Sequence, residues 1–190
     1  MRKNFGVKPL TVPQPVFIVS TYNEDGTANA MNVAWGGVSE ENELTLCIDN
    51  GHKTAENLVK QDAFVVHMGE AGLVLACDYL GVVSGNKVPN KIEVANLHTS
   101  KSPFVNAPII EEFTIAVECR LISYDADSCR CIGEIVNVSV DERVLNEAGE
   151  VDMTKVNPIV FDAFNHDYLS LGEKVGKAFK DGFALPIPSA

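Results

Sequence analysis

Residues 113–140 constrain the fold more than any other stretch of this chain. Ile115, Val117, Cys119 and Leu121 alternate with Thr114, Glu118 and Arg120. That period of two marks a strand with one face turned to a core. Asp125-Ala126-Asp127 then reverses the chain, and residues 129–140 give a second strand of similar length. Two long strands joined by a tight polar turn make an antiparallel hairpin.

The remaining pattern extends this β framework. Residues 16–21 are rich in β-branched and apolar side chains and follow Pro15; Asn23-Glu24-Asp25-Gly26 turns the chain; residues 28–35 return and end at Gly36-Gly37. This predicts another hairpin. Strands are also expected at 44–48, 63–68, 158–161 and 168–171. A short helix is expected over 55–61 with Thr54 as its N-cap. Leu73, Ala76, Cys77 and Leu80 fall at helical spacing and predict a helix over 71–80. A helical turn is expected at 92–96, a loop at 100–108 and a C-terminal helix over 172–180. Antiparallel strands with a few inserted helices point to a mainly β fold, a closed or split barrel with peripheral helices.

The chain has 190 residues, enough for one domain with its own core, and a net charge of −11. So acidic a surface repels nucleic acid and anionic lipid. No apolar run is long enough to cross a bilayer. Residues 1–5 lack the apolar stretch of a signal peptide. The expectation is a cytoplasmic protein with free thiols at Cys47, Cys77, Cys119, Cys129 and Cys131. No Cys or His spacing suggests a metal site. Cys129 and Cys131 are expected to share one strand face, which brings a redox pair into consideration.

Four segments could carry chemistry. Asn29-Ala30-Met31-Asn32-Val33-Ala34-Trp35 sets two polar amides among small residues, open to a flat ligand, and ends at the only Trp; a packed edge strand is the plainer alternative. Gly51-His52-Lys53-Thr54-Ala55-Glu56-Asn57 runs a Gly turn into a helix, where free amides and Lys53 suit an anion; an ordinary capped helix has the same pattern. The stretch from Gly81 to Lys91 holds two Gly and two Lys, as a phosphate clamp or a solvated loop. Phe164 and Tyr168 could flank an aromatic ligand, with His166 as a polar contact, or the aromatics simply pack in the core. His67, on an apolar strand, reads as a core histidine. No nucleophile–base pair, dinucleotide fingerprint or P-loop is present.

Taken in order, these segments, with Ile132-Gly133-Glu134-Ile135 and Gly176-Lys177-Ala178-Phe179, resemble the flavin reductase-like family, and its flavoredoxin branch most. The resemblance runs from about residue 5 to 183. It implies a single domain spanning the chain, an FMN-binding split β-barrel with a few peripheral α-helices, working as a homodimer. It implies non-covalent FMN, with Asn29, Ala30, Met31 and Asn32 along the isoalloxazine and Trp35 as an aromatic neighbour. Thr54 and Asn57 match the phosphate-side motif, Lys91 matches a basic residue that reaches the cofactor, and Phe164 falls in a segment that closes over it. Asp49 or Asn50 stands where many relatives carry Arg, which shifts the phosphate role to His52, Lys53, Lys91 and backbone amides. Ser128 to Cys131 replace a stretch in which many relatives carry a His. The implied activity is that of an oxidoreductase or electron carrier, reduced by NAD(P)H or by a protein donor. A non-enzymatic flavin- or haem-binding protein on the same barrel is the alternative.

Overall fold

The computed structural model describes residues 1–185. In chain order its strands are Gln14–Pro15 (β1), Phe17–Tyr22 (β2), Ala28–Val33 (β3), Gly36–Glu40 (β4), Glu43–Cys47 (β5), Ala63–Met68 (β6), Thr99–Lys101 (β7), Pro108–Ile110 (β8), Ile115–Asp125 (β9), Arg130–Val140 (β10), Ile159–Asp162 (β11) and Asp167–Ser170 (β12). The helices are Lys53–Gln61 (α1), Val74–Val82 (α2), Lys91–Val94 (α3) and Met153–Val156 (α4).

Seven strands form one antiparallel sheet in the order β3-β2-β6-β9-β10-β5-β4. Its two edge strands, β3 and β4, are separated in sequence by only Ala34 and Trp35. So short a link requires the edges to lie close, and the sheet curls round on itself into a split barrel. The long β9–β10 hairpin is as the alternation predicts, with register shifts at Ile132/Gly133 and Ile135/Asn137 that bend it round the core. Gly133 sits at the first shift because Phe64 fills the space beside it: a Cβ there would lie 2.8 Å from Phe64 Cε1.

Inside the barrel, Val19, Leu44, Leu46, Phe64, Val66 and Val117 pack with Ala55 and Leu58 of α1. Burying a side chain such as Leu58 contributes about 1.5–3 kcal/mol, which fixes α1 to the barrel. Asn57 adds a polar tie, donating to Thr21 Oγ1 (3.1 Å) and Asn23 Oδ1 (2.8 Å). A second core forms where Ile18 and Ala30 meet Ala76, Cys77 and Leu80 of α2 and Ile92 of α3. These two cores hold α1 and α2 in fixed relation to β3.

Several expectations need correction. The sequence ends the preceding strand at Gly36-Gly37 and predicts none after it, yet β4 begins there; Gly36 is needed, since a Cβ would meet Thr45 O at 2.8 Å. The stretch 100–108 is not all loop, because β7 and β8 pair across it; strands of three residues are too short to show a period. The helix expected from residue 71 starts as a 3₁₀ turn, Ala71–Leu73, and becomes α-helical at Val74. No helix forms over 172–180, where the chain is irregular to residue 177 and then turns. Gly172 and Gly176 lower helix propensity there, and Val175 and Phe179 are almost fully exposed, so no packing compensates. Among the described residues no helix is long and apolar enough to cross a membrane.

Candidate functional site

Two cavities open between β3, the entry to α1 and the loop after α2. The first, of about 380 Å³, is lined by Asn29, Met31, Lys53, Thr54, Lys87 and Lys91 together with Gly51, Ser84 and Gly85. The second, of about 330 Å³, is lined by Met31, Asn32, Trp35, Cys47, Ile48 and Cys129. Met31, Asp49 and His52 border both, so the two are halves of one groove. Each half is of the size usual for small-molecule sites, about 300–1,000 Å³.

The first half is built for an anion. α1 begins at Lys53 with His52 in the N-cap position, and no side chain caps it. Among the described residues the amides of Lys53 and Thr54 find no acceptor. Such amides, at the positive end of the helix dipole, favour a negative group. Thr54 is therefore not the N-cap the sequence suggests; its hydroxyl accepts from Asn29 Nδ2 at 2.9 Å, locking α1 to β3. The loop after α2 closes the cavity from above. Asn86 Nδ2 donates to Gly51 O at 3.0 Å, and Gly85 lies so close that a Cβ would sit 3.2 Å from Lys53 Cβ and clash with Asn29 Oδ1.

Lys91 is 1% exposed and lines this cavity from below the loop. Its ammonium donates to Leu80 O (2.8 Å) and Val83 O (2.5 Å), holding the end of α2. Burial pushes its pKa down to about 8. Lys53 is partly offset by Glu56 at 3.0 Å, whereas Lys87 has no ion-pair partner among the described residues. Asp49, which stands against these cations, is occupied through Oδ1 by the amide of Gly51 at 2.9 Å.

The second half suits a flat, partly polar ring. Trp35 is 54% exposed at its rim. Asn32 spends its amide hydrogens on Cys77 O (3.1 Å) and Tyr168 Oη (3.4 Å). That leaves Oδ1 as the group able to accept from a ligand N–H. Tyr168 in turn donates to Asp78 Oδ1 at 2.9 Å, and burial followed by that carboxylate pushes its pKa up to about 12, so it stays a neutral donor.

Of the residues singled out from the sequence, Asn29, Met31, Lys53, Thr54 and Lys91 meet in the first cavity, and Met31, Asn32 and Trp35 in the second. Ala30 does not reach either; it faces the core under α2 and is fully buried. Asn57 lies under α1, tied to β2, and Phe164 is exposed and borders neither cavity. Asp49 and Cys129 also line the groove. Cys47 joins them without a sequence signal of its own; register places it there, opposite Arg130 across β5 and β10. Cys129 and Cys131 do not share a face, because Cys131 packs inside the barrel while Cys129 sits before β10 with φ 59°. Among the described residues no group of three or more His, Cys, Asp or Glu could hold a metal ion.

The sequence profile of the flavin reductase-like domain matches residues 10–163. The chain belongs to the flavin reductase-like family. Among solved structures, it is similar to the flavoredoxin of Desulfovibrio vulgaris (Miyazaki F), at 32% identity and a TM-score of 0.91 over 96% of this chain and 100% of that one. A flavoredoxin from Methanosarcina acetivorans follows at 26% identity and a TM-score of 0.86, over 97% and 99%. A protein of Aquifex aeolicus is 30% identical over 79% of this chain and 81% of its own length. Within this flavin reductase-like chain, the groove joins an end lined by Lys53, Lys87 and Lys91 to an end that carries Trp35, along one strand, β3.

Proposed function

We propose that this chain, folded as one domain, holds FMN non-covalently in the joined groove and works as an FMN-dependent oxidoreductase or electron carrier in the cytoplasm. The observation that carries the reading is the pairing of two differently built cavities that share Met31, Asp49 and His52. One end offers free helix amides, Lys87 and Lys91 to a phosphate; the other offers Trp35 and the Asn32 carbonyl to a ring. A bound flavin supplies the redox chemistry, and the protein supplies placement and electrostatics. Lys91 and the α1 amides hold the phosphate, Asn32 orients the ring, and Trp35 shields it from water.

The same reading includes a homodimer. α2 is mostly apolar; Ala76, Cys77 and Leu80 are buried, but Leu75 and Val82 are exposed. Val82 also lines the first cavity, so a second copy seated there would help to close the site.

The experiment is an absorbance spectrum of the purified protein, followed by NADH under anaerobic conditions. A yellow protein releasing about one FMN per chain on denaturation is expected. Rapid bleaching by NADH assigns a flavin reductase; bleaching only by a reduced protein donor assigns a carrier of the flavoredoxin type. Colourless protein that takes up no added FMN refutes the proposal.

A further inference from the structure

Three of the five cysteines are sealed in the cores. Cys77, Cys119 and Cys131 are buried, and burial pushes their thiols up to about 11, 12 and 12. The other two, Cys47 and Cys129, are half-exposed and line the same cavity, beside Trp35.

The backbone holds this pair close. Cys47 is opposite Arg130 in the β5–β10 ladder, and the amide of Ile48 donates to the carbonyl of Cys129 at 2.8 Å. Tyr124 Oη donates to the carbonyl of Ile48 at 2.8 Å, clamping the end of β5 to the hairpin. For neighbouring antiparallel strands, one position off register, this puts the two Cα atoms about 6 Å apart. Disulfides span Cα separations of about 4.4–6.8 Å.

Regular pleating would turn the two side chains to opposite faces. Cys129 escapes it through φ 59°, in the left-handed region. Glycine or asparagine fills that kind of turn position at little cost, and other residues are uncommon there. At the end of the 126–129 hairpin loop this conformation carries Cys129 onto the wall that also carries Cys47. The Cys129 sulfur lies 4.0 Å from Asp49 Oδ2, an acceptor for the thiol proton.

We infer that Cys47 and Cys129 are a dithiol–disulfide couple at the ring end of the groove, whose substrates are low-molecular-weight disulfides. In the forward step the Cys129 sulfur, its proton passed to Asp49 and on to water, attacks one sulfur of the substrate disulfide and releases one thiolate. The Cys47 sulfur then attacks the Cys129 sulfur of the mixed disulfide and releases the second thiolate. One S–S bond breaks and one forms; two electrons pass to the substrate, and the two thiol protons balance the two thiolates. The protein disulfide returns to two thiols on taking two electrons and two protons from a reduced dihydroflavin, which becomes oxidised flavin. Only this regeneration rests on the FMN reading.

The test starts with the full chain, reduced and freed of reductant under argon, then exposed to oxidised glutathione. Thiols are trapped by alkylation and mapped by mass spectrometry. The expected result is loss of two of the five thiols and a peptide linking Cys47 to Cys129. Cys47→Ser should stop at a glutathione adduct on Cys129, and Cys131→Ser should cross-link like the wild type. Retention of both thiols, or a link from Cys129 to Cys131, overturns the inference. In a second arm the disulfide form is mixed with photoreduced FMN. Recovery of two thiols per flavin oxidised supports the coupling, and no recovery with FMN bound overturns it. A chain that forms the link but binds no FMN upholds the couple and refutes the flavin reading instead.

Discussion

Replacing Lys91 by Met separates two roles that the geometry gives this side chain, because the stem still fills its buried space while the charge is lost. Two opposing terms set the effect on folding. Burial lowers the ammonium pKa from 10.5 to about 8; at ~1.4 kcal/mol per unit, the charge costs about 3 kcal/mol where it sits. Removing it strips the donor from Leu80 O and Val83 O, at about 1–3 kcal/mol for each carbonyl that water cannot reach. The sum lies near zero, so Lys91→Met should unfold in urea within about 2 kcal/mol of wild type. FMN affinity should behave differently. Loss of a charged contact of about 1–3 kcal/mol weakens binding roughly 5- to 150-fold, read by quenching of flavin fluorescence. The pH profile gives an independent check. In the free protein Lys91 loses its proton near pH 8, whereas a phosphate beside it retains that proton. Wild-type affinity should therefore hold at pH 7–8 and weaken above that, by up to about tenfold per unit; Lys91→Met should lack this slope. Equal affinity in the two proteins at pH 7, or equal slopes above pH 8, would show that Lys91 only caps α2.

Other outcomes follow from particular contacts. His67 is fully buried, accepts from the amide of Ile110 at 3.2 Å, and is pushed down by burial to about 4. The unfolded chain takes this proton first, so its contribution is whole above pH 6.5 and declines towards pH 4, by about 3 kcal/mol; urea melts of wild type and His67→Gln should converge over that window. Gly133→Ala drives a methyl into Phe64 and should cost about 1–3 kcal/mol in the same assay. Gly85→Ala pushes the loop off Asn29 and Lys53; FMN affinity should fall at least several-fold with the melting temperature little changed. Tyr168→Phe removes the partner that fixes the Asn32 amide and should shift the flavin absorbance bands and reduction potential, readouts that simple loss of packing leaves alone.

The site was legible where chemistry is local in sequence. The stretch Gly51 to Thr54 reads as a helix entry suited to an anion through one Gly turn and Lys53, and these residues line the groove. Small residues around Asn29 and Asn32 announce a strand that a ligand can approach. The side chain of Asn57 points to Thr21 and Asn23, because spacing along a helix does not say which face meets the barrel. The side chain of Ala30 turns to the core under α2, because neighbouring strand residues face opposite sides. A shared face for Cys129 and Cys131 requires the strand to include residue 129, and β10 starts one residue later, after a positive φ.

By itself the sequence determined that this chain forms antiparallel strands with a long central hairpin, because a period of two over eleven or twelve residues admits little else. It also determined an acidic chain in which Lys53, Lys87 and Lys91, three of its 15 basic residues, stand in two Gly-containing segments. Only the tertiary structure decided that those segments share one cavity. Their meeting depends on α1 plugging the barrel and α2 packing on β3, contacts between residues far apart in sequence and fixed by burial of Leu58, Ala76 and Leu80. The structure alone also placed Cys47 beside Cys129, since strand register across β5 and β10 is set by the apolar faces of both strands together.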